Sequence, residues 1–337
     1  FFIAINDGRP DWREGATLLG SLLLLGVVFS LLPAVATGAR PTVDLLEFAP
    51  GLPLRLSVEP LGMTFACVAA LLWPLNSLYS IGYMRGNQEQ HQTRFYICFA
   101  IAIASTIGIA FAGNLLTLFI FYEALTLSTY PLVTHKGTEE AKQAGRLYLG
   151  ILVGTSIGFL LLAIVWTWVV AGTLEFAPGG ILAGKIDGPL VNVLLALYMF
   201  GIGKAALMPF HRWLPAAMVA PTPVSALLHA VAVVKAGVFS VLKVIVYVFG
   251  IDFLKDTGAS SWLMWVAALT VLLASFVALT KDNLKARLAY STVSQLGYVV
   301  LGAALATSMG VIGGSMQIVM HAFGKITLFF CAGAIYT

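Results

Sequence analysis

Charged residues are scarce in this sequence. Asp, Glu, Lys and Arg make up 10% of its 337 residues, whereas a soluble domain carries about 25%. Apolar residues account for 59% of the chain, and the mean hydropathy is +0.93. A soluble core could not hide that much apolar surface, because surface-to-volume scaling limits what a domain buries. The composition therefore excludes a soluble enzyme, a disordered tail and a nucleic-acid-binding protein, and it indicates a protein of the lipid bilayer.

Cysteine is also scarce. The three cysteines, Cys67, Cys98 and Cys331, each lie inside an apolar run, and none belongs to a Cys-x-x-Cys pair. Zinc sites, iron–sulfur sites and a disulfide framework are therefore not expected. We interpret the cysteines as small apolar packing residues, and we expect no metal bound by them.

Long apolar runs fill the sequence instead. A helix needs about 20 apolar residues to cross a bilayer, and ten stretches approach that length. We predict an all-α, polytopic transmembrane bundle that forms a single domain over residues 1–337, with a surface loop over the Pro- and Gly-rich residues 36–59. The predicted spans are 15–35, 60–83, 95–112, 114–133, 147–171, 190–208, 223–250, 262–280, 288–306 and 311–335.

Basic residues are distributed unevenly between the segments that connect these spans. The connections on the side where the chain begins carry eleven Lys or Arg residues, and those on the opposite side carry four. By the positive-inside rule, the first side faces the cytoplasm. We therefore expect a multi-pass protein of a bacterial-type inner membrane, with Lys142 and Lys285 in the cytoplasm and the 36–59 loop outside.

Four charged side chains fall near the middle of predicted spans. Glu123 lies about 13 Å into its helix, at about 1.5 Å per residue; Lys204, Lys235 and Lys325 lie about 18–21 Å into theirs. A charge at the bilayer centre costs at least about 2.5–3.5 kcal/mol on insertion scales, so such residues are usually functional. We predict a proton relay, because a nearby carboxylate keeps a lysine charged and desolvation makes it release its proton. The alternative is a static ion pair between Glu123 and one lysine.

Two histidines accompany these lysines. His321 precedes Lys325 by four residues, so both share one helix face. His229 precedes Lys235 by six residues. Histidine titrates near neutral pH, so we include both in the relay, although a lone histidine is more often a packing residue. Lys243 lies close enough to its span's end for its stem to reach the interface, so a snorkelling and a functional role stay equally open.

The segment after Lys204 is rich in proline. Four prolines fall within residues 209–223, and a regular helix cannot accommodate them. Two interpretations stay open. One is a helix broken at membrane depth, where it lines a cavity or an ion site. The other is an ordinary loop between two spans.

Three glycines four residues apart mark one face of the fifth predicted span. These are Gly150, Gly154 and Gly158. Small residues let helix backbones approach closely, so we expect another helix to pack against this stripe.

Several ordered motifs give the sequence a family resemblance. They are FYEAL at 121–125, KAALMPFHRWLP at 204–215, APTPVSALLH at 220–229, VKAG at 234–237 and HAFGK at 321–325. Together they resemble the antiporter-like subunits of respiratory complex I and of Mrp-type cation/proton antiporters. The resemblance covers nearly the whole chain.

That resemblance has specific implications. It implies a bundle of about fourteen spans built from two inverted repeats, with discontinuous helices at mid-membrane. It also implies no cofactor, no catalytic chemistry of the chain's own and assembly with other membrane subunits. Finally, it implies a hydrated charged axis, in which Glu123 pairs with Lys204 and protons pass through Lys235, His229, His321 and Lys325.

The chain differs from the family in its length. The family's first helix and its final spans have no counterpart here, and the sequence begins at Phe1 without a methionine. We therefore expect a partial subunit that is truncated at both ends.

Two functions follow from the resemblance. One is a membrane subunit of a multisubunit Na⁺/H⁺ antiporter of the Mrp type that translocates protons and a monovalent cation; residues 126–137 resemble its D-type subunit slightly more. The alternative is a proton-pumping subunit of an NADH:quinone oxidoreductase or of a related membrane-bound hydrogenase. A stand-alone solute transporter would need a substrate pocket, and the sequence offers no polar cluster beyond the charged axis.

Overall fold

Helices dominate the computed structural model, which describes residues 2–49 and 51–336. Only helices and closed barrels satisfy every backbone polar group inside a bilayer, so long apolar runs fold as helices. The α-helices are α1 (Phe2–Ile5), α2 (Pro10–Ser30), α3 (Leu32–Ala36), α4 (Pro60–Gly86), α5 (Gln92–Ala110), α6 (Leu115–Val133), α7 (Glu139–Thr155), α8 (Leu161–Ala171), α9 (Pro189–Gly201), α10 (Trp213–Ala216), α11 (Thr222–Ala226), α12 (Val233–Val244), α13 (Ile251–Thr257), α14 (Ser261–Leu279), α15 (Leu284–Ala304) and α16 (Ser308–Tyr336).

Short irregular turns interrupt or join several of these helices. A π-helical turn joins α7 to α8, and two others flank α12 on either side. Tight 3₁₀ turns follow α9 and α10. The π turns are Ser156–Leu160, Leu227–Val231 and Ile245–Phe249, and the 3₁₀ turns are Gly203–Ala205 and Ala217–Val219.

Eight helical segments of the described chain are long and apolar enough to cross a membrane. They correspond to eight of the ten predicted spans, which confirms a polytopic helical membrane protein. The other two predicted spans lie outside this set. The predicted span 190–208 is wrong in length, because α9 ends at Gly201 after 13 residues. The predicted span 288–306 is the 21-residue helix α15, whose Ser, Thr and Gln side chains make it less apolar than the others.

The segment Thr222–Phe249, which comprises α11, α12 and their π turns, lies at the centre of the bundle. In its most apolar stretch 94% of the residues are buried, whereas in that of Pro10–Ala36 only 11% are buried. A helix that is apolar on every face is typically enclosed by other helices. The centre of this bundle is therefore a helix interrupted by π turns, and α2 lies at the rim.

The predicted 36–59 surface loop is instead mostly a β-hairpin. Strands β1 (Thr42–Ala49) and β2 (Leu52–Ser57) pair antiparallel, and the Pro-Gly sequence between them is a known turn signal. Arg55 donates hydrogen bonds to both carboxylate oxygens of Asp44 and to Glu175. The Arg55 guanidinium holds the pKa of Asp44 below its ordinary value. The hairpin therefore lies on the same side of the bundle as the loop after α8.

The glycine stripe of the fifth predicted span packs against no other helix in the part of the chain that is described. A methyl group added to Gly150, Gly154 or Gly158 would meet nothing within 4 Å, and all three glycines are exposed. The described helices thus leave this stripe uncovered, and its packing against another helix stays a prediction.

Candidate functional site

The helix that should carry Lys204 is broken at that residue. Helix α9 ends at Gly201, and the turn Gly203–Ala205 places Lys204 at the break. Ala206 follows in the left-handed region, with φ +53°. The indole Nε1 of Trp213 donates to the Gly203 carbonyl at 3.0 Å, which satisfies one backbone group that the break leaves free. Of the two interpretations of the proline-rich segment, the structure supports the broken helix.

Glycine allows three backbones to meet at this break. A Cβ on Gly203 would come within 2.2 Å of the Thr155 hydroxyl, and one on Gly201 within 2.4 Å of the Leu160 backbone nitrogen. A Cβ on Gly237, in α12, would come within 2.3 Å of the Lys204 carbonyl carbon. The break is thus packed closely between the π turn after α7 and the central helix.

Uncharged groups hold the Lys204 ammonium. Nζ donates to the Tyr122 carbonyl at 2.9 Å and to the Thr126 hydroxyl at 2.5 Å. It also lies 3.2 Å from the centre of the Tyr122 ring, a cation–π contact. The side chain is fully buried, so these groups replace its water shell.

The predicted pairing of Glu123 with Lys204 is not a direct contact in this conformation. The two side chains form no ion pair, and Glu123 Oε1 has no hydrogen-bond partner among the described residues. Tyr122 and Thr126 are four residues apart and share one helix face. Around the helix, Glu123 is rotated by about 100° from Tyr122 and by about 60° from Thr126, which is why Lys204 contacts these two neighbours and not the Glu123 carboxylate.

Lys235 and His321 form a second centre. Lys235 Nζ lies 2.6 Å from His321 Nδ1, although the sequence spacing associates His321 with Lys325. Lys235 is fully buried and His321 is 8% exposed. The Nε2 atom of His321 has no hydrogen-bond partner within the described ranges. One proton can therefore lie on either side of the Lys235–His321 contact, and Nε2 is free to pass it on.

His229 lies in the same interior but outside this contact. Its ring is fully buried, and neither ring nitrogen has a partner in the described chain. The ring centre lies 4.8 Å from that of Phe329 on α16. The structure thus encloses His229 in the bundle without joining it directly to Lys235.

Lys325 lies one helical turn after His321 on α16 and contacts α15. Nζ donates to the Leu288 carbonyl at 2.9 Å and to the Ser291 hydroxyl, and Lys325 is 4% exposed. Ser291 belongs to the polar residues that lower the hydropathy of α15. The less apolar character of this helix is thus explained in part by its contact with a buried lysine.

A buried ion pair that the sequence did not indicate joins Glu59 and Lys243. Lys243 Nζ lies 2.8 Å from Glu59 Oε1 and donates to the Ala112 carbonyl at 2.6 Å. Lys243 is 1% exposed, so the snorkelling interpretation is wrong. Glu59 is thus a second acid, besides Glu123, that lies among the buried lysines. Its position just before an apolar run was the available signal, but nothing in the sequence pointed to its partner.

Metal-ligand clusters are absent from residues 2–49 and 51–336, since no three His, Cys, Asp or Glu side chains come together there to hold an ion. What the site offers is a set of buried proton-carrying groups with hydrogen-bond partners. Such groups can bind, hold and release protons.

Comparison with known proteins gives several relatives. A family described as "NADH:quinone oxidoreductase/Mrp antiporter, TM" matches residues 112–337. The A/B component of a probable K(+)/H(+) antiporter of Rhizobium meliloti (strain 1021) is 31% identical over 99% of this chain and 33% of its own length. The NADH-quinone oxidoreductase subunit N of Desulforudis audaxviator (strain MP104C) is 30% identical over 84% of this chain and 56% of its own length. The chain therefore spans about a third to just over half of these curated relatives.

Solved structures with the same fold come from multisubunit complexes. A chain in the structure of the Mrp complex from Dietzia sp. DQ12-45-1b matches 97% of this chain and 36% of its own length, with TM-score 0.82 and 28% identity. A chain of the membrane-bound sulfane sulfur reductase, an archaeal respiratory membrane complex, matches 96% of this chain and 66% of its own length, with TM-score 0.84 and 26% identity. These matches confirm the resemblance, and the chain belongs to the family of membrane subunits shared by NADH:quinone oxidoreductases and Mrp antiporters.

Proposed function

We propose that this chain translocates protons across the membrane as the antiporter-like subunit of a multisubunit Mrp-type cation/proton antiporter. The observation that carries the proposal is the series of lysines buried inside the bundle and held by uncharged partners. Lys204, Lys235 and Lys325 each contact a hydroxyl, a carbonyl or an imidazole nitrogen. A lysine in such surroundings can change its protonation state when a charged neighbour approaches or leaves.

Glu123 acts as the switch in this proposal. In the described conformation its carboxylate is separate from Lys204. A small rotation of α6 that brings Glu123 to Lys204 would favour the charged ammonium, since opposite charges within about 4–6 Å stabilise each other. Separation of the pair would make Lys204 release its proton towards the interior that contains Lys235.

The Lys235–His321 contact continues the path. A proton on Lys235 moves to His321 Nδ1, and the imidazolium releases a proton from Nε2. Lys325 lies four residues further along the same helix face and receives it through internal water. His229 borders this interior and is a further proton-carrying group of the proposed relay.

Other membrane subunits are the expected partners, together with the lipid bilayer. Both solved relatives belong to multisubunit membrane complexes. The exchanged cation is Na⁺ or K⁺ in this proposal, and the name of the Rhizobium meliloti relative refers to K⁺. The bacterial inner membrane is the expected location.

A proton-pumping role in an NADH:quinone oxidoreductase is the second candidate. The similarity to quinone-oxidoreductase subunits over 84–95% of this chain favours it. The buried lysines would serve both roles, because the two differ in what drives the protons and not in how the protons are carried.

Transport by the complete complex in everted membrane vesicles tests the proposal. Addition of Na⁺ or K⁺ to vesicles with a preformed pH gradient should release protons from the lumen, as followed with a pH-sensitive dye. Lys235→Ala should lower this exchange by about tenfold or more, at an unchanged amount of complex. Lys142→Ala is the matched control, because Lys142 is exposed and paired only with Glu139.

Two outcomes would decide against parts of the proposal. Proton movement driven by an electron donor such as NADH, with none driven by a cation pulse, would favour the pump. Normal exchange in the Lys235→Ala complex would refute a relay through this residue.

A further inference from the structure

The ion pair of Glu59 and Lys243 lies where three helix ends meet beneath the hairpin. Glu59 directly precedes α4, Lys243 lies in the last turn of α12, and Ala112 lies in the turn between α5 and α6. A Cβ on Gly62 would come within 2.2 Å of the Ala110 carbonyl oxygen, so the ends of α4 and α5 nearly touch. The pair is therefore a built, buried site on the hairpin side of the bundle.

A third polar group connects this pair to the surface. The Tyr247 side chain, in the π turn after α12, lies close enough to Glu59 to interact with it electrostatically. An open groove of about 330 Å³ lies between α4, this turn and α16. Its lining comprises Pro60, Thr64, Tyr247 and Ser315 together with the apolar residues Leu61, Val246, Val311, Ile312 and Met316. Glu59 thus directly precedes a residue of this surface groove and lies beside a second.

An apolar barrier separates the pair from the relay. Lys243 follows Lys235 by eight residues of one helix, which is about 12 Å. Phe239 lies halfway between them, and its ring packs 4.9 Å from that of Phe65 on α4. Both rings are buried.

We propose that Glu59 is the group through which the proton path exchanges protons with the hairpin side of the membrane. Lys243 is its positioning cation, and the Phe65–Phe239 pair is the barrier between Glu59 and Lys235. This inference rests on the proposed function, since it requires a proton path through Lys235.

The proton balance of one passage is simple. The Lys235 ammonium gives a proton to internal water and becomes a neutral amine. When the phenylalanine pair opens, that water protonates the Glu59 carboxylate. The resulting carboxylic acid gives its proton to water in the groove, and the carboxylate returns to its pair with Lys243. The reverse sequence carries a proton inward, and no other reactant is needed.

Lys243 and Tyr247 face Glu59 from α12 and the turn that follows, and Arg40, before the hairpin, acts on Tyr247. Ala112 contributes only a carbonyl that binds Lys243. The pH dependence of the exchange should therefore respond to Lys243 in particular.

Transport by the complete complex in vesicles, measured from pH 6 to pH 9, tests this role. Glu59→Gln should lower cation-driven proton exchange by about tenfold or more, and Glu59→Asp should restore part of it. Lys243→Arg keeps the cation and should retain most of the activity. Lys243→Met removes the charge that returns Glu59 to its carboxylate form, so its pH–rate profile should move to higher pH by about one unit.

Asp44→Asn is the matched control, because it breaks an exposed ion pair on the hairpin. Its rate of proton exchange and its pH–rate profile should equal those of the unmodified complex. Normal exchange in Glu59→Gln, beside a complex that Lys235→Ala inactivates, would overturn this inference and leave the proposed function standing. Loss of the complex in both Glu59→Gln and Lys243→Met, or a reduced rate in Lys243→Met with an unmoved profile, would identify the pair as a structural clamp and also overturn it.

Discussion

Lys204 is fully buried, and the groups that hold its ammonium are a carbonyl, a hydroxyl and an aromatic ring. A hydrogen bond to a charged group contributes about 1.5–3 kcal/mol, roughly twice a neutral one. Such contacts compensate only part of what a buried ammonium loses from water. In the proposed relay, this incomplete compensation is what lets a carboxylate that approaches or leaves change the protonation state of Lys204.

The Thr126 hydroxyl should therefore matter to transport more than to folding. Thr126→Val keeps the shape and removes the acceptor 2.5 Å from Lys204 Nζ. We expect cation-driven exchange to fall by about tenfold, because about 1.4 kcal/mol corresponds to that factor. Thr129→Val, on the same helix, removes a hydroxyl that bonds Tyr148 and should leave exchange within about twofold. Equal losses in the two variants would show that a general packing defect is responsible.

His135 gives the protein an acid-sensitive contribution to stability. It lies in the loop between α6 and α7 and is 4% exposed; burial, with Arg94 nearby, lowers its pKa to about 4. The unfolded chain protonates this ring at its usual pKa of about 6.5. The contribution is thus fully present above pH 6.5 and is lost as the pH falls towards 4, by up to about 3 kcal/mol.

Thermal unfolding in detergent at pH 7.5 and pH 5 checks this expectation. His135→Asn should reduce the loss of melting temperature on acidification. His91→Asn, at an exposed histidine with φ +53° that asparagine tolerates, should not change it. An identical acid response in His135→Asn and the unmodified protein would show that the ring does not carry the effect.

At the scale of elements, the functional centre depends on two interrupted helices in contact. Helix α9 stops before Lys204, and the central helix α12 is flanked by π turns. Breaks at membrane depth are tolerated where protein or a water-filled cavity satisfies the freed backbone groups. Gly201, Gly203 and Gly237 allow that close packing, since a Cβ on each would collide with a neighbouring backbone or hydroxyl.

Gly237→Ala should separate these elements. The added Cβ would lie 2.3 Å from the Ala205 nitrogen and the Lys204 carbonyl carbon, and overpacking of this kind costs about 1–3 kcal/mol. We expect a lower melting temperature and reduced exchange. Gly154→Ala is the control, because its Cβ would meet nothing within 4 Å, so it should be neutral. A Gly237→Ala protein as stable and active as the Gly154→Ala protein would show that close contact at the break is not required.

Local sequence patterns predicted much of this architecture but not its pairings. Hydropathy located eight spans because a helix that crosses a bilayer must be long and apolar. The rarity of charges in the middle of such spans marked Lys204, Lys235 and Lys325 as candidate site residues. The end of α9 at Gly201 was missed because the residues that follow it are as apolar as those of a membrane-spanning helix. The contacts Lys235–His321 and Lys243–Glu59 join residues 86 and 184 positions apart. The periodicity of a single segment cannot predict such contacts, because they arise from how separate helices pack.

For the whole molecule, the uneven distribution of basic residues predicts the orientation. The hairpin and the loop after α8 are joined by Arg55 and Glu175, so they must lie on one side of the membrane. We expect that side to be outside. In a protein whose three cysteines are replaced, Ala39→Cys should react with a membrane-impermeant maleimide added to intact cells, and Glu140→Cys should react only after the cells are opened. The opposite labelling pattern would reverse the orientation.

The whole molecule functions as a proton path only if Glu123 carries the switching charge, and one variant tests this directly. Glu123→Gln keeps the shape of the side chain and removes its charge. In vesicles that contain the complete complex at an unchanged amount, cation-driven proton exchange should be abolished, and Glu123→Asp should retain part of it. Exchange by the Glu123→Gln complex at the rate of the unmodified complex would contradict the proposed relay.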